Sequence, residues 1–268
     1  MVLPTPGPAR AALITGASSG IGAELARVLS SRGHHVVLVA RRTEQLTALA
    51  ESLPGPSSVV GADLSQPRER AALPGRVAEL GLDVDILVNN AGLSTMGPVA
   101  AADPVAELNV VEVDVAAVVD LCTRFVAGMV SRQRGAVLNV ASVAGFGPLP
   151  GQAVYGAAKA FVLSYSRALG QELAASGITV TALCPGPVHT GFGEAAGFST
   201  EDAEAALPKP LWVSPEDVAR AAVDGLAAGK PVVVPGRLNR AATAIYHLTP
   251  RRLLLPLLAS QHPAFKKK

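Results

Sequence analysis

The sequence is poor in aromatic residues, charged residues and cysteine. Of its 268 residues, 4% are aromatic and 16% are charged, whereas 49% are hydrophobic. Ala, Val and Leu must therefore fill the core, and this composition excludes an intrinsically disordered chain. The formal net charge of +2 argues against nucleic-acid binding, which needs a concentrated basic face.

Two cysteines are too few for a disulfide framework. Cys122 and Cys184 both lie in apolar segments and fit small core residues in a reducing compartment. The N-terminal segment lacks the apolar core of a signal peptide, and no run of about 18 apolar residues predicts a membrane span. We expect a cytoplasmic protein.

Apolar strand-like runs alternate with helical patterns along most of the chain. Near-continuous apolar strands between helices predict a parallel sheet that is covered on both faces. We expect one α/β domain with a doubly wound, Rossmann-type sheet, in which ligands bind at the carboxyl ends of the strands. The predicted strands cover residues 11–15, 35–40, 59–61, 85–88, 136–140, 179–183 and 231–234. The predicted helices cover residues 21–32, 43–53 (capped by Thr43), 66–80, 107–131, 153–175 and 214–228 (capped by Ser214).

The ends of the chain differ from this domain, which we place at residues 10–236. Residues 1–9 are rich in Pro and Gly and are expected to be disordered. Residues 191–212 are expected to form a mobile lid over the substrate. Residues 237–268 are basic and apolar, so they fit contact with an anionic membrane surface or packing on the domain or another subunit.

A glycine-rich loop follows the first predicted strand and opens a helix. Its sequence is Thr-Gly-Ala-Ser-Ser-Gly-Ile-Gly at positions 15–22. Glycines let the backbone approach a ligand closely, and a helix N-terminus attracts a pyrophosphate. The spacing resembles the loop of the short-chain dehydrogenase/reductase family. The resemblance implies that a nicotinamide dinucleotide is bound by Gly16, Ser18, Ser19, Gly20, Ile21 and Gly22.

The second predicted strand ends in two arginines and no acid. An acidic residue there would bind the ribose of NAD, whereas a guanidinium pairs with the 2′-phosphate of NADP. We therefore expect NADP(H), with Arg41 as the main contact and Arg42 as a helper, although both fit solvated surface arginines too. The family resemblance adds Asp63 and Leu64 at the adenine and Asn90, Ala91 and Gly92 along the cofactor.

A phenol and an amine lie four residues apart on one predicted helix. The Lys159 ammonium would stabilise the Tyr155 phenolate and lower a pKa that is otherwise near 10. Ser142, at the end of the fifth predicted strand, would hold a carbonyl oxygen. Ser142, Tyr155 and Lys159 match the family's catalytic residues in order and spacing, and in the family Tyr155 and Lys159 also contact the cofactor.

One position departs from the family, which usually has an asparagine that holds a relay water. Here the residue is Asp114. Our hypothesis is that Asp114 takes the place of this asparagine as a catalytic residue. The alternatives are that Asn109 or another residue serves, or that activity is weak.

The segment after the sixth predicted strand resembles the family's nicotinamide-binding loop. The resemblance assigns this contact to Pro185, Gly186, Val188 and Thr190. His189 receives no role, and the remaining histidines lack metal-ligand spacing, so we propose no metal site.

Together these residues predict an NADP(H)-dependent oxidoreductase that transfers a hydride between the nicotinamide and a carbonyl or alcohol. The apolar side chains that could line a pocket suggest a hydrophobic small molecule, although they could equally pack the lid down: Phe146, Leu149, Phe192, Phe198 and Trp212. The alternatives are a 3-oxoacyl reductase at a membrane surface and a non-catalytic NADPH-binding protein. By resemblance, the long helices predict a homodimer or homotetramer.

Overall fold

Seven parallel strands form one sheet in the order β3-β2-β1-β4-β5-β6-β7. The computed structural model describes residues 3–195, 208–248 and 252. The strands are β1 (Arg10–Thr15), β2 (His35–Ala40), β3 (Ser57–Gly61), β4 (Asp83–Asn89), β5 (Ala136–Val140), β6 (Thr179–Leu183) and β7 (Val232–Val233). Because β1 lies between β2 and β4, the chain winds outward in both directions from β1, which confirms the doubly wound Rossmann-type fold.

Helices cover both faces of this sheet. Side chains alternate along each strand, so Leu13 and Ile14 belong to two different core clusters. The α-helices are α1 (Gly20–Ser31), α2 (Thr43–Ser52), α3 (Pro67–Glu79), α4 (Pro104–Val111), α5 (Ala117–Ser131), α6 (Ala153–Leu173), α7 (Phe192–Ala195), α8 (Pro215–Ala227) and α9 (Arg237–Leu248). Helices α1, α2 and α8 pack on one face, and α3, α5 and α6 pack on the other.

A π-helical segment, Glu112–Ala116, interrupts the long helix that was predicted over residues 107–131. The helical course begins earlier, at Pro104, where Asp103 caps it by accepting a hydrogen bond from the Val105 amide at 3.0 Å. A π-helical turn changes the direction of side chains and is frequent at functional sites. In this chain the segment contains Asp114, whose side chain is fully buried.

Two helix starts test the predicted caps. Ser214 caps α8 as predicted, because its hydroxyl accepts a hydrogen bond from the Asp217 amide at 3.1 Å. The prediction that Thr43 caps α2 is wrong. The N-cap is Arg42, whose carbonyl accepts from the Leu46 amide at 3.3 Å, and Thr43 is already the first helical residue.

Residues 3–9, for which the sequence predicts disorder, make contacts with the domain. Leu3 packs against the core, and Thr5 accepts a hydrogen bond from Nη1 of Arg134 at 3.2 Å. One apolar side chain and one buttressing arginine thus attach residues 3–9 to the domain. Met1 and Val2 lie outside the described residues, as do residues 196–207 of the predicted lid and most of 249–268.

Within residues 3–195, 208–248 and 252, no helix combines the length and apolar character that crossing a membrane requires.

Candidate active site

The predicted site residues converge at the carboxyl ends of the central strands. Thr15 ends β1, and its hydroxyl accepts hydrogen bonds from the Asn90 amide at 2.9 Å and the Ala91 amide at 3.0 Å. The Asn90 side chain in turn donates to the Thr15 carbonyl at 2.9 Å and to the Gly16 carbonyl at 3.2 Å. Asn90 therefore fixes the glycine loop to the loop that follows β4. Thr15 was not among the site residues predicted from the sequence.

The glycine loop is packed so closely that it leaves no room for a side chain at Gly22. A Cβ at Gly22 would lie 2.3 Å from the Gly16 carbonyl oxygen and 2.4 Å from Nδ2 of Asn90. The first N–H groups of a helix have no intrahelical acceptor, and Ser19, the N-cap of α1, does not bond them with its side chain. This close-packed glycine loop with free N–H groups fits the pyrophosphate of a dinucleotide.

A guanidinium lies directly beside this loop. Nη2 of Arg42 donates to the hydroxyls of Ser18 at 3.0 Å and Ser19 at 3.1 Å. Arg41 is exposed, and no contact of its side chain with the loop is found in the described structure. The structure therefore places Arg42 against the loop, and the prediction that Arg41 is the main contact of the 2′-phosphate stays a prediction. Asp63 and Leu64 follow β3. Because β3 pairs in parallel with β2, they lie at the same edge of the sheet as the two arginines.

Ser142, Tyr155 and Lys159 come together as predicted. Ser142 follows β5, and its hydroxyl lies close enough to the Tyr155 hydroxyl to lower the pKa of Tyr155. Tyr155 and Lys159 lie one turn apart on α6, with the Lys159 Nζ 5.6 Å from the centroid of the Tyr155 ring. Tyr155 remains partly exposed, as a group that exchanges a proton with substrate must be.

Asp114 contacts Lys159 directly. Its Oδ2 lies 2.8 Å from the Lys159 Nζ, and both side chains are buried. The Lys159 ammonium also donates to the Val140 carbonyl at 3.1 Å, which leaves one of its three N–H groups for a ligand. Asn109, the alternative from the sequence, lies in α4 before the π-helical segment.

Burial and neighbouring charges have opposing effects on the pKa values of Tyr155, Asp114 and Lys159. Burial raises the pKa of Tyr155. Lys159 and Ser142 lower this pKa, Asp114 raises it, and the net direction is upward. The sequence predicted only the lowering by Lys159. Burial raises the pKa of Asp114 as well, against the effect of Lys159. Burial lowers the pKa of Lys159, but Asp114 and Tyr155 outweigh it and the pKa of Lys159 is raised.

The segment after β6 faces the glycine loop. A Cβ at Gly20 would lie 3.0 Å from Cγ2 of Thr190, so the two loops are adjacent. Val188 is fixed by a parallel bridge to Val213. Pro185 and Gly186 precede it, and Gly186 packs against Asn239 of α9.

The candidate pocket residues divide into two groups. The Phe192 ring lies 5.8 Å from the Tyr155 ring between centroids, so it borders the reacting phenol. Trp212 stacks on His189 at 4.5 Å, and Phe146 packs against the core. Phe198 lies outside the described residues. Phe192 is thus placed beside the phenol by a ring contact, and Leu149 lies against Gly156, the residue after Tyr155.

Arg70 connects parts of the site that the sequence did not link. Its buried guanidinium donates to the Leu64 carbonyl at 2.7 Å, to Glu112 at 3.0 Å and to Asp120 at 3.2 Å. It therefore joins the loop after β3 to the π-helical segment. Its position on a helix gave no signal, because its partners are 42 and 50 residues away.

Across the described part of the chain, no group of three His, Cys, Asp or Glu side chains is arranged to hold a metal ion.

A phenol with a serine and a lysine beside it, next to a loop that fits a dinucleotide, is typical of a nicotinamide-dependent oxidoreductase. The family model described as short chain dehydrogenase matches residues 10–198. The chain belongs to the short-chain dehydrogenase/reductase family.

Known proteins of the family resemble the chain over most of its length. A solved short-chain dehydrogenase from Sphingobium yanoikuyae in complex with NADPH is 32% identical, with a TM-score of 0.78, covering 92% of this chain and 95% of that one. A bulky-bulky ketone specific alcohol dehydrogenase from Comamonas testosteroni is 30% identical, with a TM-score of 0.72, covering 92% and 94%. A very-long-chain 3-oxoacyl-CoA reductase from Phaeosphaeria nodorum is 38% identical over 177 residues, covering 63% of this chain and 52% of that protein.

Proposed function

We propose that the protein is an NADP(H)-dependent oxidoreductase that interconverts a hydrophobic carbonyl compound and its alcohol. The observation that carries this proposal is the Tyr155 phenol, which lies beside Ser142 and Lys159 at the end of the sheet that holds the glycine loop. The preference for NADP(H) over NAD(H) rests on Arg42, because its guanidinium lies at the glycine loop and a guanidinium binds phosphate strongly.

The cofactor contacts follow from the loops already described. Residues 16–22 with Arg42 would hold the phosphates, and Asp63 with Leu64 would hold the adenine. Gly92 and its neighbours would lie along the ribose. The remaining N–H of Lys159 would bind ribose hydroxyls, and Val188 and Thr190 would hold the carboxamide. When bound, the nicotinamide supplies or accepts the hydride.

The protein's own residues handle the proton. In reduction, the Ser142 hydroxyl donates a hydrogen bond that orients the substrate carbonyl, and Tyr155 donates its proton to the carbonyl oxygen. In oxidation, the Tyr155 phenolate takes that proton back. Phe192 borders Tyr155 and gives the reacting carbonyl an apolar neighbour.

NADPH oxidation against ketones and aldehydes tests the proposal. The panel should include acetophenone, a bulkier diaryl ketone and an acetoacetyl thioester, each with NADPH and NADH. We expect turnover of a hydrophobic carbonyl, with NADPH preferred. Absence of turnover on every compound, with tight NADPH binding, would instead support a non-catalytic NADPH-binding protein.

A 3-oxoacyl reductase at a membrane surface is the second candidate. The similarity to the reductase from Phaeosphaeria nodorum favours it, as does the basic and apolar sequence of residues 251–268. Selective turnover of the acetoacetyl thioester, together with binding to anionic vesicles that is lost when residues 251–268 are removed, would support it over a general ketone reductase.

We also propose a homodimer or homotetramer. Large apolar side chains stand exposed on α4 and α6, where Val105 is 75% exposed, Leu108 66% and Phe161 40%, and a partner subunit would cover them. Light scattering on the purified protein should give a mass of two or four chains. A monomer mass at micromolar concentration would refute this.

A further inference from the structure

A buried ion pair stands behind the reacting phenol. Asp114 and Lys159 are 2.8 Å apart, and their side chains are 0% and 5% exposed. The other carboxylate oxygen, Oδ1, accepts a hydrogen bond from the Leu93 amide at 2.6 Å. Oδ1 of Asp114 therefore has a hydrogen-bond donor, whereas Oδ2 lies at ion-pair distance from Nζ without hydrogen-bond geometry. The carboxylate is held between the π-helical segment and the loop after β4.

Gly92 confines the pair from a third side. A Cβ at this position would lie 3.1 Å from Oδ2 of Asp114 and 3.2 Å from the Lys159 Nζ. The backbone at Gly92 thus approaches both charged groups closely. The Asp114–Lys159 pair is therefore enclosed by the surrounding backbone.

The charge of Lys159 is therefore compensated. Alone, an ammonium beside Tyr155 would stabilise the phenolate and favour loss of the proton. A carboxylate in contact with that ammonium offsets the field that the phenolate experiences, and it also repels the phenolate directly.

The other groups that face the pair do not restore a net positive charge. From β5 come the Val140 carbonyl and the Ser142 hydroxyl, which are neutral. Cys184 follows β6, and burial raises its pKa to about 12, so its thiol is neutral near pH 7. Arg167 of α6 is a charged group that acts on Cys184. Asp114 is the carboxylate in direct contact with Lys159.

We propose that Asp114 is a positioning residue that holds Lys159 and offsets its charge, so that Tyr155 keeps its proton through neutral and mildly alkaline pH. The inference rests on the proposed function, because it concerns the same phenol. The site thereby stays in the proton-donating form that carbonyl reduction requires, and the phenolate that alcohol oxidation requires forms only at higher pH. The overall equilibrium of the reaction is unchanged, so both pH profiles must move together.

Titration of tyrosinate absorbance in the full-length enzyme tests this without any substrate. The chain has three tyrosines, so the difference between wild type and Tyr155→Phe isolates the signal of Tyr155. The same difference is then measured in the Asp114→Asn background. We expect the Tyr155 midpoint to fall by about one pH unit or more when the carboxylate is replaced by the isosteric amide. An unchanged midpoint in folded protein would overturn the proposal.

Glu112→Gln is the matched control. It removes a carboxylate two positions away on the same π-helical segment, but Glu112 pairs with Arg70 and not with Lys159. Its Tyr155 midpoint should equal that of wild type. A shift as large as that of Asp114→Asn would show that any charge on the segment suffices, and would overturn the specific role.

The wild-type midpoint gives a second reading in case Asp114→Asn does not fold. The proposal expects Tyr155 to ionise at or above the ordinary tyrosine value near 10. A midpoint more than one pH unit below that value would contradict it.

Kinetic profiles separate this inference from the proposed function. With the ketone that the panel shows to be reduced fastest, kcat/KM for reduction should begin to fall at a lower pH in Asp114→Asn than in wild type. Oxidation of the matching alcohol should reach its plateau at a correspondingly lower pH. If wild type reduces the ketone and Asp114→Asn has the same pH profile as wild type, the inference fails while the proposed function stands. If wild type reduces nothing, the proposed function fails, and the tyrosinate titration still decides the inference.

Discussion

At the scale of single residues, the sequence predicted the reacting groups better than their environment. Ser142, Tyr155 and Lys159 were identified by spacing, and the structure brings them together. The upward direction of the Tyr155 pKa was not predictable, because it depends on burial and on Asp114, which lies 41 residues away in the chain. Likewise, spacing alone did not reveal the buried Arg70.

The order of Arg41 and Arg42 could not be read from the sequence either. Both follow β2, and the side that each faces depends on where α2 begins. Since Arg42 is the N-cap of α2, its side chain reaches the glycine loop.

Replacing Arg42 with alanine should weaken NADPH binding selectively. Loss of a charge-assisted contact to the 2′-phosphate predicts a Kd for NADPH that rises about 10- to 100-fold, with little change for NADH. Fluorescence titration with both cofactors measures this. Arg41→Ala is the control and should change the NADPH Kd less; a larger effect for Arg41→Ala would contradict the structural order.

At the scale of elements, the strands were predicted more closely than the helix starts. The bounds of β2, β5 and β6 are those predicted, because each is a short, buried apolar run. The π-helical segment was missed, since its residues continue a helical pattern and only tertiary contacts reveal the extra residue in the turn.

Two glycines within helices should respond oppositely to alanine. Gly22→Ala should destabilise the protein and abolish tight NADPH binding, because the new Cβ would lie 2.3 Å from the Gly16 carbonyl oxygen. Gly75, inside α3, has nothing within 4 Å of a built Cβ. Gly75→Ala should therefore stabilise the protein by about 0.5–1 kcal/mol through helix propensity. Thermal denaturation and NADPH titration measure both variants; equal behaviour would show that backbone crowding at Gly22 is unimportant.

At the scale of the whole molecule, the doubly wound topology followed from the sequence because each strand is apolar on both faces and each crossover contains a helix. The contacts that residues 3–9 make with the domain were not predicted. Composition alone could not show that Leu3 and Thr5 have partners on the domain.

Stability should decrease as the pH falls below about 6.5. Burial lowers the pKa of His34 from 6.5, and Arg32 and Arg134 lower it further. The unfolded chain then binds a proton more readily than the folded protein, so the contribution is full above pH 6.5 and is lost as pH falls through this value. Calorimetry from pH 7.5 to 5.5 should show a smaller fall in Tm for His34→Gln than for wild type. The pKa of His35 is lowered as well, so the variant should retain part of the fall; an equal or steeper fall would exclude His34 as a cause.

The activity of Tyr155→Phe tests the central claim most directly. This variant keeps the ring beside Phe192 and removes only the hydroxyl, so the proton donor is lost while the dinucleotide loops remain intact. NADPH oxidation with the best ketone of the panel should fall about 10²- to 10⁴-fold, with the Kd for NADPH essentially unchanged. Turnover close to that of wild type would contradict the assignment of Tyr155 as the group that gives the carbonyl oxygen its proton.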